Sequence, residues 1–265
     1  MKRTKIFLVM TAAAILALGP TAALAHWDAG DGHKMHEPQL PDPTGWDVRI
    51  NNARRQPDDP FEWITADDWQ CSGSGAVTDI HFWTSWRWDM PDEILALHVM
   101  VFADVPDPDG DGPLYSHPGE RLHLWTFGPN DYAVREVTGD LQGWADPPFE
   151  QWEPEEHQRM YQFNITEIPD PLMQQEEGTI YWLGISADLW GEGECGMLGW
   201  KTSLVHWNDD AVYWDVMNGT WQELRDPEDG RSLDMAFVIT PEPATLGLLG
   251  LGVAGLVASR RRRRR

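Results

Sequence analysis

Apolar and polar residues alternate in short segments through the middle of the chain. In residues 77–83, Ile80 and Phe82 alternate with His81 and Trp83, as they would on the two faces of a β-strand. Runs of the same type occupy residues 94–102, 122–127, 132–137, 160–165, 179–187, 211–216 and 233–239. Turn-forming clusters separate them, and no long segment has the helical period. The pattern predicts an all-β fold, an antiparallel β-sandwich for which jelly-roll topology is one option.

The chain begins with the pattern of a bacterial export signal. Basic residues and an apolar stretch precede a site with the small side chains that signal peptidase requires. These features are Lys2, Arg3 and Lys5, residues 6–18, and Ala23 with Ala25. We expect signal peptidase to remove Met1–Ala25 and to leave His26 as the first residue. A retained anchor helix is the alternative, but the small-residue site argues against it.

The chain ends in three consecutive parts. The motif Pro241, Glu242 and Pro243 is followed by a predicted hydrophobic helix at residues 244–259 and by the arginines Arg260, Arg261, Arg262 and their three successors. As a helix, the apolar run at residues 244–258 reaches only about 22 Å, against about 30 Å for the hydrocarbon core of a membrane. The arginines place the C-terminus on the cytoplasmic side. The rest of the chain must then lie outside the cytoplasm.

This tail resembles the PEP-CTERM sorting signal of exported bacterial proteins. The resemblance covers residues 241–265 and implies recognition by an exosortase, a membrane protease that cuts near the Pro-Glu-Pro motif, commonly in bacteria that secrete exopolysaccharide. It implies transient anchoring in the inner membrane, followed by transfer to the envelope, the cell surface or the medium. Residues 78–83, 115–120 and 199–203 also resemble parts of an uncharacterised domain in other PEP-CTERM proteins, which implies no activity.

The segment between the two ends is strongly acidic. Residues 26–240 hold 11 of the 20 Lys and Arg and 42 of the 43 Asp and Glu, which gives a formal charge of −31. Such a charge repels phosphate backbones and anionic lipids, so nucleic acid is excluded as a partner. The 16 tryptophans argue that the segment folds. We expect an irregular arm at residues 26–43 and one sandwich domain at residues 44–240.

An acidic loop suggests calcium, the one cofactor that the sequence indicates. Asp107, Asp109 and Asp111 alternate before Gly112, which is the first half of a calcium-binding loop. The second half does not match, because the twelfth position is Pro118. An ordinary acidic turn is the alternative.

The tryptophans suggest a second type of ligand. Exposed indoles beside carboxylates can stack on sugar rings, and Trp86 and Trp88, which follow the first predicted strand, are the candidates for exposure. Polysaccharide is therefore a candidate partner. For most of the other tryptophans we expect burial in the sandwich core.

Cysteine and histidine positions allow two further interpretations. Cys71 and Cys195 are the only cysteines, and in an exported chain they predict a disulfide bond rather than a metal site. His26, His33 and His36 could chelate a transition metal, but a solvated arm explains them more simply.

The sequence contains no motif that indicates a particular catalytic activity. The chain contains no nucleophile elbow, zinc-protease helix, phosphate loop or dinucleotide fingerprint. The abundance of acids makes a pair at glycosidase spacing almost inevitable, so such a pair carries no information. We therefore interpret the protein as a non-enzymatic envelope or matrix protein that binds carbohydrate. The alternative is a secreted glycan-active hydrolase on the same sandwich.

Overall fold

Strands form nearly all the regular structure in the computed structural model, which describes residues 26–52, 61–106, 115–191 and 196–240. Aromatic and β-branched residues fill the longer strands, where their side chains pack well on a pleated surface. The described strands are β1 Trp46–Arg49, β2 Asn51–Asn52, β3 Thr65–Gln70, β4 Gly75–Ala76, β5 Asp79–Trp86, β6 Ile94–Val105, β7 His117–Phe127, β8 Ala133–Val137, β9 Gln142–Asp146, β10 Gln151–His157, β11 Met160–Ile165, β12 Gln174–Gln175, β13 Ile180–Leu189, β14 Leu198–Lys201, β15 Val212–Asp215, β16 Thr220–Glu223 and β17 Phe237–Thr240. Short 3-10 turns occupy Arg87–Asp89 and Pro147–Phe149.

These strands form two large sheets. The first has the order β10-β9-β1-β14-β5-β11-β8, with β17 also paired to β5. The second has the order β16-β15-β3-β13-β6-β7, with β2 also paired to β13, and β4 pairs separately with β12. The pairings are antiparallel apart from β1 with β9 and β2 with β13, which are parallel.

Side chains from both sheets meet in one hydrophobic core. Trp69 on β3 lies edge-on to Phe237 on β17, with 6.3 Å between the ring centroids, and so joins the two sheets. Phe82 on β5 packs between Phe163 and Trp200 within the first sheet. The alternation seen in β5 therefore places Phe82 in a shared core, and the predicted all-β sandwich is confirmed.

The sequence prediction located eight strands and missed others. β11 has the predicted bounds, whereas the run at 233–239 forms a strand only from Phe237 onward. The missed strands include β3, whose Asp67 and Asp68 break the expected apolar pattern although both are buried. The pattern failed there because it assigns charged residues to solvent.

The N-terminal arm is irregular but docked. Trp27 is 4% exposed and its ring lies edge-on to Trp83, 6.2 Å away. Isolated bridges join Met35 to Cys71 and Gln39 to Phe237. The irregular arm is therefore not a solvated segment around its histidines, because Trp27 and Met35 contribute buried side chains to the core.

The predicted Cys71–Cys195 disulfide is not formed. Cys71 is a free buried thiol whose backbone amide donates to Thr179, at the beginning of β13. Cys195 lies outside the described residues, but the adjacent Gly196 packs closely against Asp92, at the far end of β13. Nine residue steps along a strand span about 30 Å, whereas a disulfide needs Cα atoms about 4–7 Å apart.

Candidate functional site

A groove of about 660 Å³ runs along β1, β9, β10 and the turn at residues 226–231. Its polar wall is formed by five acidic side chains and one arginine: Asp42, Asp140, Glu155, Asp226, Glu228 and Arg231. Trp46 lies among them. The volume is within the range of about 300–1,000 Å³ that is typical of ligand sites in proteins.

Trp46 organises the groove. Its ring lies directly against Gly143 of β9, where any side chain would overlap the indole, so the glycine permits this packing. The indole Nε1 donates to Oδ2 of Asp226 at 3.2 Å. Arg231 Nη2 donates to the same oxygen at 3.3 Å. Two donors therefore fix the Asp226 carboxylate at the groove wall.

The rim of the groove contains an irregular strand. Glu155 on β10 has a φ of 53°, in the left-handed region that ordinary residues avoid. The register of β10 against β9 shifts between Glu153 and His157, as in a β-bulge. Bulges and strained residues concentrate at functional sites, where they redirect a side chain.

A recess of about 150 Å³ adjoins the groove and extends to His206 and Asp234. Asp234 accepts from His206 Nδ1 at 2.7 Å and from the backbone amide of Trp207 at 2.7 Å. Burial raises the pKa of Asp234 to about 6 against the effect of these bonds. Ser232 Oγ lies 3.1 Å from the same His206 Nδ1. A Ser-His-Asp relay needs both ring nitrogens, so this set is not a catalytic triad.

Two more acids lie behind Asp234. Asp67 Oδ2 accepts hydrogen bonds from Gln39 Nε2 at 2.8 Å and from the backbone amide of Met235 at 2.6 Å. Burial and the neighbouring acidic side chains raise the pKa of Asp67 well above its usual value. Burial also raises the pKa of Asp68 to about 8. Asp68 Oδ1 has no hydrogen-bond partner. These carboxyl groups therefore keep protons at pH values where exposed acids have lost them.

A separate charged network surrounds Asp47 on β1. Asp47 Oδ2 accepts from Lys201 Nζ and from His157 Nε2, each at 2.9 Å. Burial opposes the charge on His157, but hydrogen bonds to Asp47 and Glu156 raise its pKa to about 9. The network is a structural element of the first sheet, because solvent does not reach Asp47, His157 or Lys201.

The two tryptophans predicted to stack on sugars differ in their exposure to solvent. Trp86 is 5% exposed and belongs to the core, so its predicted exposure is wrong. Trp88 is 43% exposed, with the Arg87 guanidinium 4.3 Å from its ring centre. Trp88 and Asp89 both have positive φ, near 55°. Asp89 holds this conformation by accepting the backbone amide of Arg159 at 2.8 Å.

The metal-binding predictions have different outcomes. The calcium residues Asp107, Asp109 and Asp111 lie outside the described residues, so that site stays a prediction. His33 Nδ1 faces a backbone carbonyl, and His36 stacks on Trp207, so neither joins His26 in a chelate. In the described part of the chain, no group of three His, Cys, Asp or Glu side chains could hold a metal ion.

Comparisons with known families concern both the domain and the tail. A family described as a domain of unknown function, DUF7901, matches residues 35–240. The chain belongs to this family. A PEP-CTERM protein-sorting motif matches residues 240–264, after the DUF7901 domain. Searches of curated proteins and of solved structures found no match.

The sorting motif indicates how the DUF7901 domain is exported and processed. This is an exported protein that an exosortase-type membrane protein processes as it passes through the membrane towards the envelope. Within the ranges of the chain that the structure describes, no helix is long and apolar enough to span a membrane. The predicted signal peptide, Ala25 and the sorting residues 241–265 lie outside those ranges.

Sequence reasoning missed the residues that form the groove. Trp46 and Asp226 are 180 residues apart, and no local motif contains either of them. The acidic cluster at residues 226–230 is visible in the sequence, but its composition predicts only a turn between two strands. The DUF7901 groove depends on contacts between distant strands, and a single sequence does not show them.

Proposed function

We propose that the protein is a carbohydrate-binding component of the cell envelope or extracellular matrix, and that the groove beside Trp46 binds the glycan. The observation that carries this proposal is a ligand-sized groove that combines an indole with acidic and basic groups. Carboxylates accept hydrogen bonds from sugar hydroxyls, and Arg231 can donate to sugar oxygens. The fixed Asp226 carboxylate would contribute to affinity because it needs little further ordering on binding.

Trp88 provides a second proposed contact. Its exposed ring is held by a strained backbone, and the hydrogen bond from its amide to Glu156 Oε1, 2.7 Å long, supports that conformation. A rigid exposed aromatic ring can stack on a pyranose with little loss of entropy. Trp86 is not proposed for this role, because it is buried.

A glycan array with the purified exported protein tests the proposal. We expect Glu228→Gln, which removes an exposed acid of the groove, to weaken binding of the selected glycan about tenfold. Glu120→Gln, an exposed acid on β7, is the matched control and should bind as the wild type does. Binding that is absent from every array, or equal in both variants, would refute the groove as a glycan site.

A glycan-active hydrolase is the second candidate function. The observation in its favour is the raised pKa of Asp234 in the recess beside the groove, since a general acid in glycoside hydrolysis must keep its proton. The bound glycans should be incubated with wild-type protein and with Asp234→Asn. Release of new reducing ends by the wild type alone would favour the enzyme over the binding protein.

We further propose that the sorting tail is removed. An exosortase would cut near Pro241–Pro243, so that a weak, glycine-rich membrane segment anchors the protein only until cleavage. Intact mass of the exported protein from a host with the sorting enzyme tests this point. Replacement of Arg260–Arg265 by Ser should impair processing and leave export intact. A mature species that still carries residues 244–265 would identify the tail as a permanent anchor.

A further inference from the structure

We propose that the groove beside Trp46 selects glycans with free amino groups, so that its ligand is an oligosaccharide segment of positively charged amino sugars. This inference rests on the proposed glycan-binding function and specifies the chemical class of the glycan. The observation behind it is the charge of the groove wall, where five carboxylates face one arginine. Such a wall attracts a cationic sugar and repels a uronic acid.

The arginine of the groove does not balance these acids. Arg231 Nη2 lies 3.3 Å from Asp226 Oδ2, and Arg231 Nε lies 3.8 Å from Oδ1 of Asp229, an additional acid of the same turn. Lys201 donates to the carbonyl of Gly45, which also lines the groove, but solvent does not reach the Lys201 side chain. Among the described residues that line the groove, an anionic sugar would therefore find no unpaired cation.

Two of the acids present free carboxylates. Glu155 and Glu228 are exposed, and across the described residues neither carboxylate takes part in a hydrogen bond or an ion pair. By contrast, Asp42 Oδ1 accepts hydrogen bonds from the amide and the hydroxyl of Thr44, at 2.9 Å and 3.0 Å. An ammonium group only donates hydrogen bonds, so it complements a free carboxylate, and its charge strengthens each bond. An acetamido group carries no charge and loses this advantage.

The two free carboxylates belong to separate elements of the groove. Glu155 lies on β10 at the bulge, and Glu228 lies in the turn at residues 226–231. The backbone amide of Glu228 donates to Asp226 Oδ1 at 2.8 Å, which fixes the turn to the carboxylate that Trp46 also holds. Acids on separate elements suit an oligomer with an amine on each sugar unit, because every contact after the first is intramolecular.

Calorimetry with three oligosaccharides of equal length tests the preference. The purified exported protein should be titrated with oligomers of glucosamine, N-acetylglucosamine and galacturonic acid, at a mildly acidic pH that keeps the amines protonated. We expect the glucosamine oligomer to bind at least about tenfold more tightly than its N-acetylated form, and the galacturonic acid oligomer not to bind. An increase in sodium chloride from about 0.05 M to about 0.5 M should reduce the preference, since salt screens the carboxylates.

A pair of glutamate variants locates the effect in the groove. Glu155→Gln removes one free carboxylate and should weaken binding of the glucosamine oligomer about tenfold, with little effect on the N-acetylated oligomer. Glu150→Gln is the matched control, because Glu150 is also exposed, has a similar φ of 52° and does not line the groove. Circular dichroism establishes that both variants are folded.

The outcomes separate this inference from the proposed function. Equal weakening by Glu155→Gln and Glu150→Gln would overturn the amine preference of the groove, since such a loss reflects attraction to the acidic protein as a whole. Binding of the N-acetylated oligomer that equals or exceeds binding of the glucosamine oligomer would also overturn it, and would leave the groove as a site for neutral glycans. Binding of no oligosaccharide, here or on the glycan array, would instead refute the proposed function together with this inference.

Discussion

Asp47 Oδ2 and Lys201 Nζ lie 2.9 Å apart in side chains that solvent does not reach. Their strands are directly paired, with Asp47 opposite Lys201 in the antiparallel register of β1 and β14. Lys201 also donates to the carbonyl of Gly45 at 2.8 Å. The pair therefore fixes the beginning of β1, the strand that carries Trp46 into the groove.

Removal of the cation from this pair should destabilise the fold. In Lys201→Met, the Asp47 carboxylate stays buried and keeps only the bond to His157. We expect the free energy of unfolding to fall by about 3–5 kcal/mol, measured by urea denaturation. Arg159→Met breaks an exposed ion pair with Glu136 and should leave the stability nearly unchanged. Equal effects of the two changes on the free energy of unfolding would show that the buried pair contributes no more to stability than the exposed pair does.

Stability should decrease from acidic to mildly alkaline pH. The folded protein keeps the proton of Asp68 up to a pKa of about 8, whereas an unfolded aspartate loses it near about 3.9. The stabilising contribution is therefore complete below about pH 4 and is lost as the pH rises towards 8. The Asn side chain in Asp68→Asn carries no charge at any of these pH values. In thermal melts between roughly pH 5 and pH 8, the stability of this variant should therefore change less with pH than the stability of the wild type. An unchanged slope would contradict the raised pKa.

Truncation of Trp27 should measure how strongly the arm is docked. Trp27→Ala removes a ring that packs on Trp83 and should lower the free energy of unfolding by about 3–5 kcal/mol. Leu204→Ala, at a side chain that is 67% exposed, is the control for loss of an apolar residue on the surface. If the two variants melt at the same temperature, the arm contributes little to the core.

Calcium should bind to the loop that contains Asp107, Asp109 and Asp111. Three alternate carboxylates repel one another and present oxygen ligands to a hard cation. Titration calorimetry should detect heat with the wild-type protein and much less with Asp109→Ala. Negligible heat from both proteins would leave the segment as an ordinary acidic turn.

The sequence contained more information about the fold than about the site. The density of apolar and aromatic residues was sufficient to predict β5, β6 and β13, although nearly all residues of β5 and β13 are buried, on both faces of the strand. It failed for β3, where Asp67 is buried beside Gln39, and for β1, where Asp47 is paired with Lys201. Their hydrogen-bond partners, Gln39 for Asp67 and Lys201 for Asp47, are distant in the chain, so the burial of these acids could not be deduced from local pattern.

The docked position of Trp27 has a consequence for the timing of maturation. In the precursor, this residue is only two positions from the bond that signal peptidase is expected to cut, and a protease needs several residues of extended chain around that bond. Trp27 cannot occupy the core and the protease at once. We therefore predict that cleavage after Ala25 precedes the docking of Trp27, and that the arm is the last segment to pack onto the sheets.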